Sequence, residues 1–157
     1  MGGRQVTAGL CKHENFGGQI GCHMGAVKCL IDSESDCRTT RSVYQTICQT
    51  CEDDPTVKTA KYVGTSGRQL HSRQLEHANA IRRGQNNSAL AKHQMSKHRQ
   101  TSPRYKTTVI QGGIKFNLDR FVREALEIDS AKDDQNFYLL NQRSEWGNSG
   151  LPKLSLT

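Results

Sequence analysis

The tightest constraint in this chain is where its cysteines lie. All six, Cys11, Cys22, Cys29, Cys37, Cys48 and Cys51, fall in the first third of 157 residues. The N-terminus, Met1-Gly-Gly-Arg-Gln5, has no apolar stretch of the kind an export signal needs. The expected location is therefore intracellular or nuclear, not secreted. In a reducing compartment such cysteines bind metal or remain thiols, in preference to forming a disulfide framework. Cys48-x-x-Cys51 is a spacing at which two thiolates can meet one metal from a tight turn. Two further ligands are needed, and His93 and His98 offer them at a zinc-finger-like separation. A reduced Cys-x-x-Cys with two surface histidines is the plainer alternative. Cys11, His13, Cys22, His23, Cys29 and Cys37 form a second Cys/His group whose spacing matches no zinc motif. A metal staple suits the composition: only 6% of residues are aromatic and mean hydropathy is −0.73, so the hydrophobic core is thin.

The charge is uneven. The net charge is +7, and between Arg68 and Lys106 nine Lys/Arg residues face one acid, Glu76. A concentrated basic stretch is what binding a polyanion requires, because each neutralised phosphate releases counterions. Arg68, Arg82, Arg83, Lys92 and Lys97 are the candidate nucleic-acid contacts; a solvated helix face is the alternative. No run of about 18 apolar residues is present, so no membrane partner is expected.

Residues 1–41 are rich in glycine and cysteine with little periodicity, and read as an irregular arm. From residue 42 the texture changes. Ser42–Cys48 and Thr59–Gly64 are β-rich and form a hairpin with a long loop carrying Cys51, the second strand ending at Gly64 and Gly67. A helix runs from about Arg68 to Arg83 and stops at Gly84. Asn87-Ser88 caps a shorter helix from Ala89 to about Lys97. Tyr105–Gln111 is a third strand, broken by Gly112-Gly113. A helix from Asn117 or Leu118 to about Ser130 carries Leu118, Phe121, Val122, Ala125 and Leu126 as its apolar stripe, with Arg123 and Glu124 beside it. Phe137–Asn141 is a short helical or extended piece. The order predicts an α+β fold: a small three-stranded antiparallel sheet flanked by helices. The domain spans 42–152, followed by a tail at 153–157.

The residues that could carry chemistry are few. Tyr44 and Tyr62 sit on adjacent strands. Arg73 and His77 lie four apart on one helix face. Glu124 is mid-helix, and Asn141 follows an apolar Tyr-Leu-Leu. Such a set suits phosphodiester cleavage: a carboxylate holds a divalent cation, an arginine neutralises the transition state, and a phenol or imidazole moves a proton. Each residue taken alone is more often structural.

Six motifs then occur in order: Ser42-Val-Tyr44, Cys48-x-x-Cys51, Tyr62-Val-Gly-Thr-Ser-Gly-Arg-Gln-Leu-His-Ser-Arg73-Gln-Leu-Glu-His77, Ser88-Ala-Leu-Ala-Lys-His93 with His98, Arg123-Glu124-Ala-Leu-Glu-Ile128, and Leu140-Asn141. Together they resemble a GIY-YIG nuclease domain, and in finer detail the endonuclease domain of Penelope-like retroelements. The resemblance covers about residues 42–152. It departs from the pattern at Ser42, where the first motif has glycine, and at Ser66, where the subgroup has threonine.

The resemblance implies a metal-dependent DNA endonuclease. Tyr44 would contact the nucleophilic water or the attacked phosphate and act as general base. Tyr62 would position water or phosphate. Arg73 would stabilise the phosphorane charge, with His77 beside it sharing proton transfer or phosphate contact. Glu124 would bind the single catalytic Mg2+ or Mn2+. Asn141, with Asn148 as its rival, would orient the site. Cys48, Cys51, His93 and His98 would hold a structural Zn2+, with His77 as an alternative ligand. DNA is the implied partner, and a reverse transcriptase domain or its RNA template a further one. The competing expectations are a non-catalytic, zinc-stabilised nucleic-acid-binding module and a purely structural zinc protein.

Overall fold

The structure, a computed structural model, describes residues 29–32 and 34–141. Cys11, His13, Cys22, His23, Asn148 and the tail at 153–157 lie outside the described residues. The elements run β1 (Ser42–Cys48), α1 (Gln49–Glu52), β2 (Thr59–Ser66), α2 (Leu70–Arg83), α3 (Ala89–Lys97), β3 (Tyr105–Gln111), α4 (Asn117–Lys132) and β4 (Phe137–Leu139). The fold is α+β, with helices flanking one sheet of order β3-β1-β2-β4.

The sheet corrects the three-stranded antiparallel expectation. β1 is antiparallel to β2 and β3, but β4 adds a fourth strand parallel to β2, pairing Thr59 with Phe137 and Lys61 with Leu139. A three-residue strand is too short to show a period of two. It exists because α4 delivers the chain back alongside β2, so its pairing is a tertiary event.

Alternation along β1 and β2 divides the core into two layers. Tyr44 and Tyr62 face Leu70, Ala78, Ile81 and Leu90 from α2 and α3. Val43 and Val63 face the other way, onto Ile114 and Ile128. The helix ends follow local chemistry. Ser88 Oγ accepts the Ala91 N–H at 3.2 Å. Gly84 takes φ +64°, and its N–H reaches the carbonyls that end α2, a conformation L side chains resist.

Three expectations change. The loop carrying Cys51 contains a helical turn, α1. β2 continues through Gly64 to Ser66 instead of ending there. The stripe expected to bury α4 is outward: Leu118, Val122 and Leu126 are exposed, while Arg120, Ile128 and Ala131 are buried. The inward row 120-124-128-131 mixes charge with apolar residues, so hydrophobicity alone points to the wrong face. That row includes Glu124.

Residues 30–32 and 34–41 pack along β3. Thr107 N–H donates to the Leu30 carbonyl at 2.6 Å and Asp32 N–H to the Thr107 carbonyl at 2.8 Å. Leu30, Ile31 and Cys37 are buried in the first core layer.

Candidate functional site

Tyr44, Tyr62, Arg73 and His77 come together on one face of the sheet. The β1–β2 register sets Tyr44 opposite Gly64 and Thr46 opposite Tyr62, so both phenols project toward α2. The Tyr44 hydroxyl lies 2.8 Å from His77 Nε2. The His77 ring meets Tyr62 edge-on at 5.4 Å between centroids and Tyr44 at 6.0 Å.

Gly64 makes this packing possible. A Cβ there would stand 2.5 Å from the Tyr44 hydroxyl oxygen and 2.6 Å from Cζ. Tyr44 is fully buried and His77 occupies the far side of its hydroxyl, so the ring has nowhere to retreat. We expect Gly64→Ala to cost about 1–3 kcal/mol in urea unfolding, the range for overpacking a core. A Gly64→Ala protein as stable as the parent would show that the ring can move.

Electrostatics polarise the cluster. Burial, reinforced by the neighbouring Tyr62, raises the Tyr44 phenol above its ordinary value, while Arg73 pulls it back. Burial, then the Arg73 charge, lowers the His77 imidazole to about 3, so it is neutral at pH 7. A neutral imidazole can accept the Tyr44 O–H at Nε2. Burial opposes charge on Arg73, but its contacts with Tyr44, Glu76 and Tyr62 more than offset it and raise the guanidinium above its ordinary value.

Glu76, on α2, is a position to which the motifs assign no role but which contacts the cluster. Its carboxylate takes Arg73 Nη1 at 2.8 Å and also pairs with Arg68. It is the only acid in the basic stretch and stands three residues from Arg73. Gln74 is a second such position. Fully buried, its Oε1 accepts from Thr107 Oγ1 at 2.8 Å, and Thr107 Oγ1 lies 2.7 Å from Thr46 Oγ1, tying α2 to the sheet below the cluster.

Glu124 arrives from the other layer. It shares the sheet-facing row of α4 with Arg120, which stands against Gly67, and Ile128, which packs with Val43 and Val63. Its charge is felt at Tyr44, where it raises the phenol further. Asn141 does not join the cluster directly. Its amide clamps the β2 backbone, accepting Val63 N–H at 2.9 Å and donating to the Val63 carbonyl at 2.7 Å. It thereby fixes the residue between Tyr62 and Gly64.

A second cluster lies at the opposite end of β1. The ligand atoms of Cys48, Cys51, His93 and His98 all fall within 4.8 Å of one another, so together they could hold a metal ion. Cys48 caps α1 and accepts the Cys51 N–H, which brings both sulfurs to one side of a single helical turn. Cys51 Sγ lies 3.3 Å from His93 Nε2 and 3.2 Å from His98 Nε2. A tetrahedral zinc with ordinary Zn–S and Zn–N bonds has S···N edges of about 3.5 Å, so the donor set is compatible with zinc. Burial lowers His93 to about 4, leaving the neutral form that ligates. Burial pushes the Cys48 thiol up to about 11, so a cation binding there would displace its proton. His77, the alternative ligand, is engaged with Tyr44 instead.

Arg68, Arg82, Arg83, Lys92 and Lys97 are all exposed. Arg68 pairs with Glu76, and Arg82 donates to Asn79 Oδ1 at 3.2 Å. None of the described helices is long and apolar enough to cross a membrane. No family model, curated protein or solved structure matches this chain.

Proposed function

We propose that the chain is a metal-dependent DNA endonuclease hydrolysing a phosphodiester bond at the Tyr44–Tyr62–Arg73–His77 cluster, with a structural zinc on Cys48, Cys51, His93 and His98. The observation that carries this reading is the convergence of two phenols, an imidazole and a guanidinium from three elements, at a glycine that makes room for them.

Arg73 is the most exposed member of the four, so it meets the phosphate first and neutralises the charge that builds on it. Tyr44 removes a proton from water in step with passing its own hydroxyl proton to His77 Nε2, and so stays neutral throughout. The hydroxide so formed attacks phosphorus and the opposite P–O bond breaks; the leaving oxygen takes a proton from solvent water, and His77 returns its own to solvent through the Tyr44 hydroxyl, which restores the neutral imidazole. Tyr62 holds the water or a phosphoryl oxygen through its hydroxyl. Glu124 would hold the Mg2+ or Mn2+ ion, which supplies Lewis acidity at the scissile phosphate and the leaving oxygen. The exposed cations of α2 and α3 would follow the DNA backbone.

The test is nicking of supercoiled plasmid with Mg2+ or with EDTA. The parent should nick only with the metal. Glu124→Ala should lose cleavage while keeping DNA binding and its melting temperature. Full activity in Glu124→Ala would overturn the mechanism. Two observations favour a second reading, a zinc-stabilised binding module without catalysis: Tyr44 is fully buried, and α4, which carries Glu124, packs on the layer opposite the two tyrosines. That module would bind DNA with steep salt dependence and nick with no divalent metal.

A further inference from the structure

Among the described residues, an apolar feature outside both clusters is the outward face of α4. Leu118, Val122 and Leu126 are 62%, 37% and 49% exposed. At four-residue spacing they form one stripe, beside a groove of about 530 Å³ that reaches Ile114 and Lys115. Contiguous exposed apolar surface of this kind marks an interaction site.

We infer that this face is the interface of a two-fold dimer, in which α4 packs antiparallel on α4 of a second copy. Two observations select a second copy over other occupants. The first is charge. The chain as a whole repels itself at +7, but the charges of α4 outside its sheet-facing row, Asp119, Arg123, Glu127, Asp129 and Lys132, nearly balance, so like chains meet here with little of that repulsion. The second is self-complementarity. An antiparallel pairing of α4 centred on Val122 sets Leu118 against the partner's Leu126 and brings Lys115, which lines the groove just before α4, toward the partner's Asp129 at the other end of the stripe. Both Lys115 and Asp129 are exposed. Asp129 has only a loose contact to Lys132 at 3.6 Å, which it can exchange. A two-fold axis repeats each pair, which is what an isologous interface requires. The inference does not depend on the nuclease reading. If both hold, the dimer supplies two sites for two strands.

Sedimentation velocity on the full metal-loaded chain tests it, over roughly 1–200 µM, the range suited to a small interface. The parent should pass from monomer to dimer within that span. Val122→Lys should weaken association at least about tenfold, since it buries a charge without a partner. Lys115→Glu and Asp129→Lys should each weaken it, and the double variant should restore it. These positions are exposed, so melting temperatures should stay near the parent's and a folding defect would be visible separately. A parent that stays monomeric at the top concentration, a dimer indifferent to Val122→Lys, or a double variant no tighter than the singles would overturn the proposal.

Discussion

Arg73→Ala is expected to slow single-turnover plasmid nicking by about 10²–10³-fold, the usual loss when one preorganised donor is removed from a developing oxyanion. Arg73→Lys should recover little of it. The guanidinium lies alongside Tyr44 and Tyr62 while also bonding Glu76. A single ammonium cannot make that planar, multi-donor set. The same variants should change DNA affinity only modestly, lowering the salt slope of binding by about one counterion. Folding should be little affected, because the Arg73–Glu76 pair is partly exposed and such pairs contribute about 1 kcal/mol or less. Undiminished cleavage by Arg73→Ala would remove Arg73 from the reaction. Reduced binding with cleavage reduced in proportion would reassign it to DNA contact.

Cys51→Ser is expected to have the largest effect on stability. Cys51 Sγ is the hub of the second cluster, in contact with both histidines. Those histidines belong to α3 and its end, whereas Cys48 and Cys51 belong to the β1–α1 corner. A bound ion would therefore join segments more than 40 residues apart in sequence. Ligand binding at such a site is folding free energy. In a domain with a thin core its loss should lower the melting temperature by more than about 10 °C. Elemental analysis should show about one zinc per chain in the parent and none in the variant. Zinc retained at the parent level, or a melting temperature unmoved by Cys51→Ser and by chelator alike, would place the metal elsewhere or remove it.

How much of this was legible depends on whether the deciding interaction is local. β3 and α3 follow from β-branched composition and from a Ser88 cap, both local signals, and they occupy the expected residues. The Cys/His quartet was legible because Cys48 and Cys51, with two residues between them, share a turn and His93 and His98 follow at a finger-like separation, a local spacing signal. Tyr44, Tyr62, Arg73 and His77 were legible as a set through motif order, and the β1–β2 register with the α2 period brings them together. Gly64 was misread as a strand end, since a glycine in a strand looks the same whether it stops the ladder or opens space for a ring across it. Long-range packing settled the remainder. α4 turned its charged row inward because Arg120 stands at Gly67 and Ile128 at Val43 and Val63, contacts that no helical period encodes. β4 and the Asn141 clamp likewise depend on where α4 returns the chain.

The segment before β1 has a consequence for how the molecule behaves among its neighbours. Leu30, Ser35, Thr40 and Arg41 occupy the outer side of β3 and of the turn after it, taking up the amides of Thr107, Val109, Gly113 and Ile114, while Asp32 N–H donates to the Thr107 carbonyl. A bare ladder there would template β-pairing with any passing strand, the first step toward amyloid-like growth. The chain thus carries its own guard against aggregation, and a version trimmed back to Ser42 would surrender it together with the packing of Leu30, Ile31 and Cys37 and the Cys37 and Thr39 carbonyls that hold the first turn of α2.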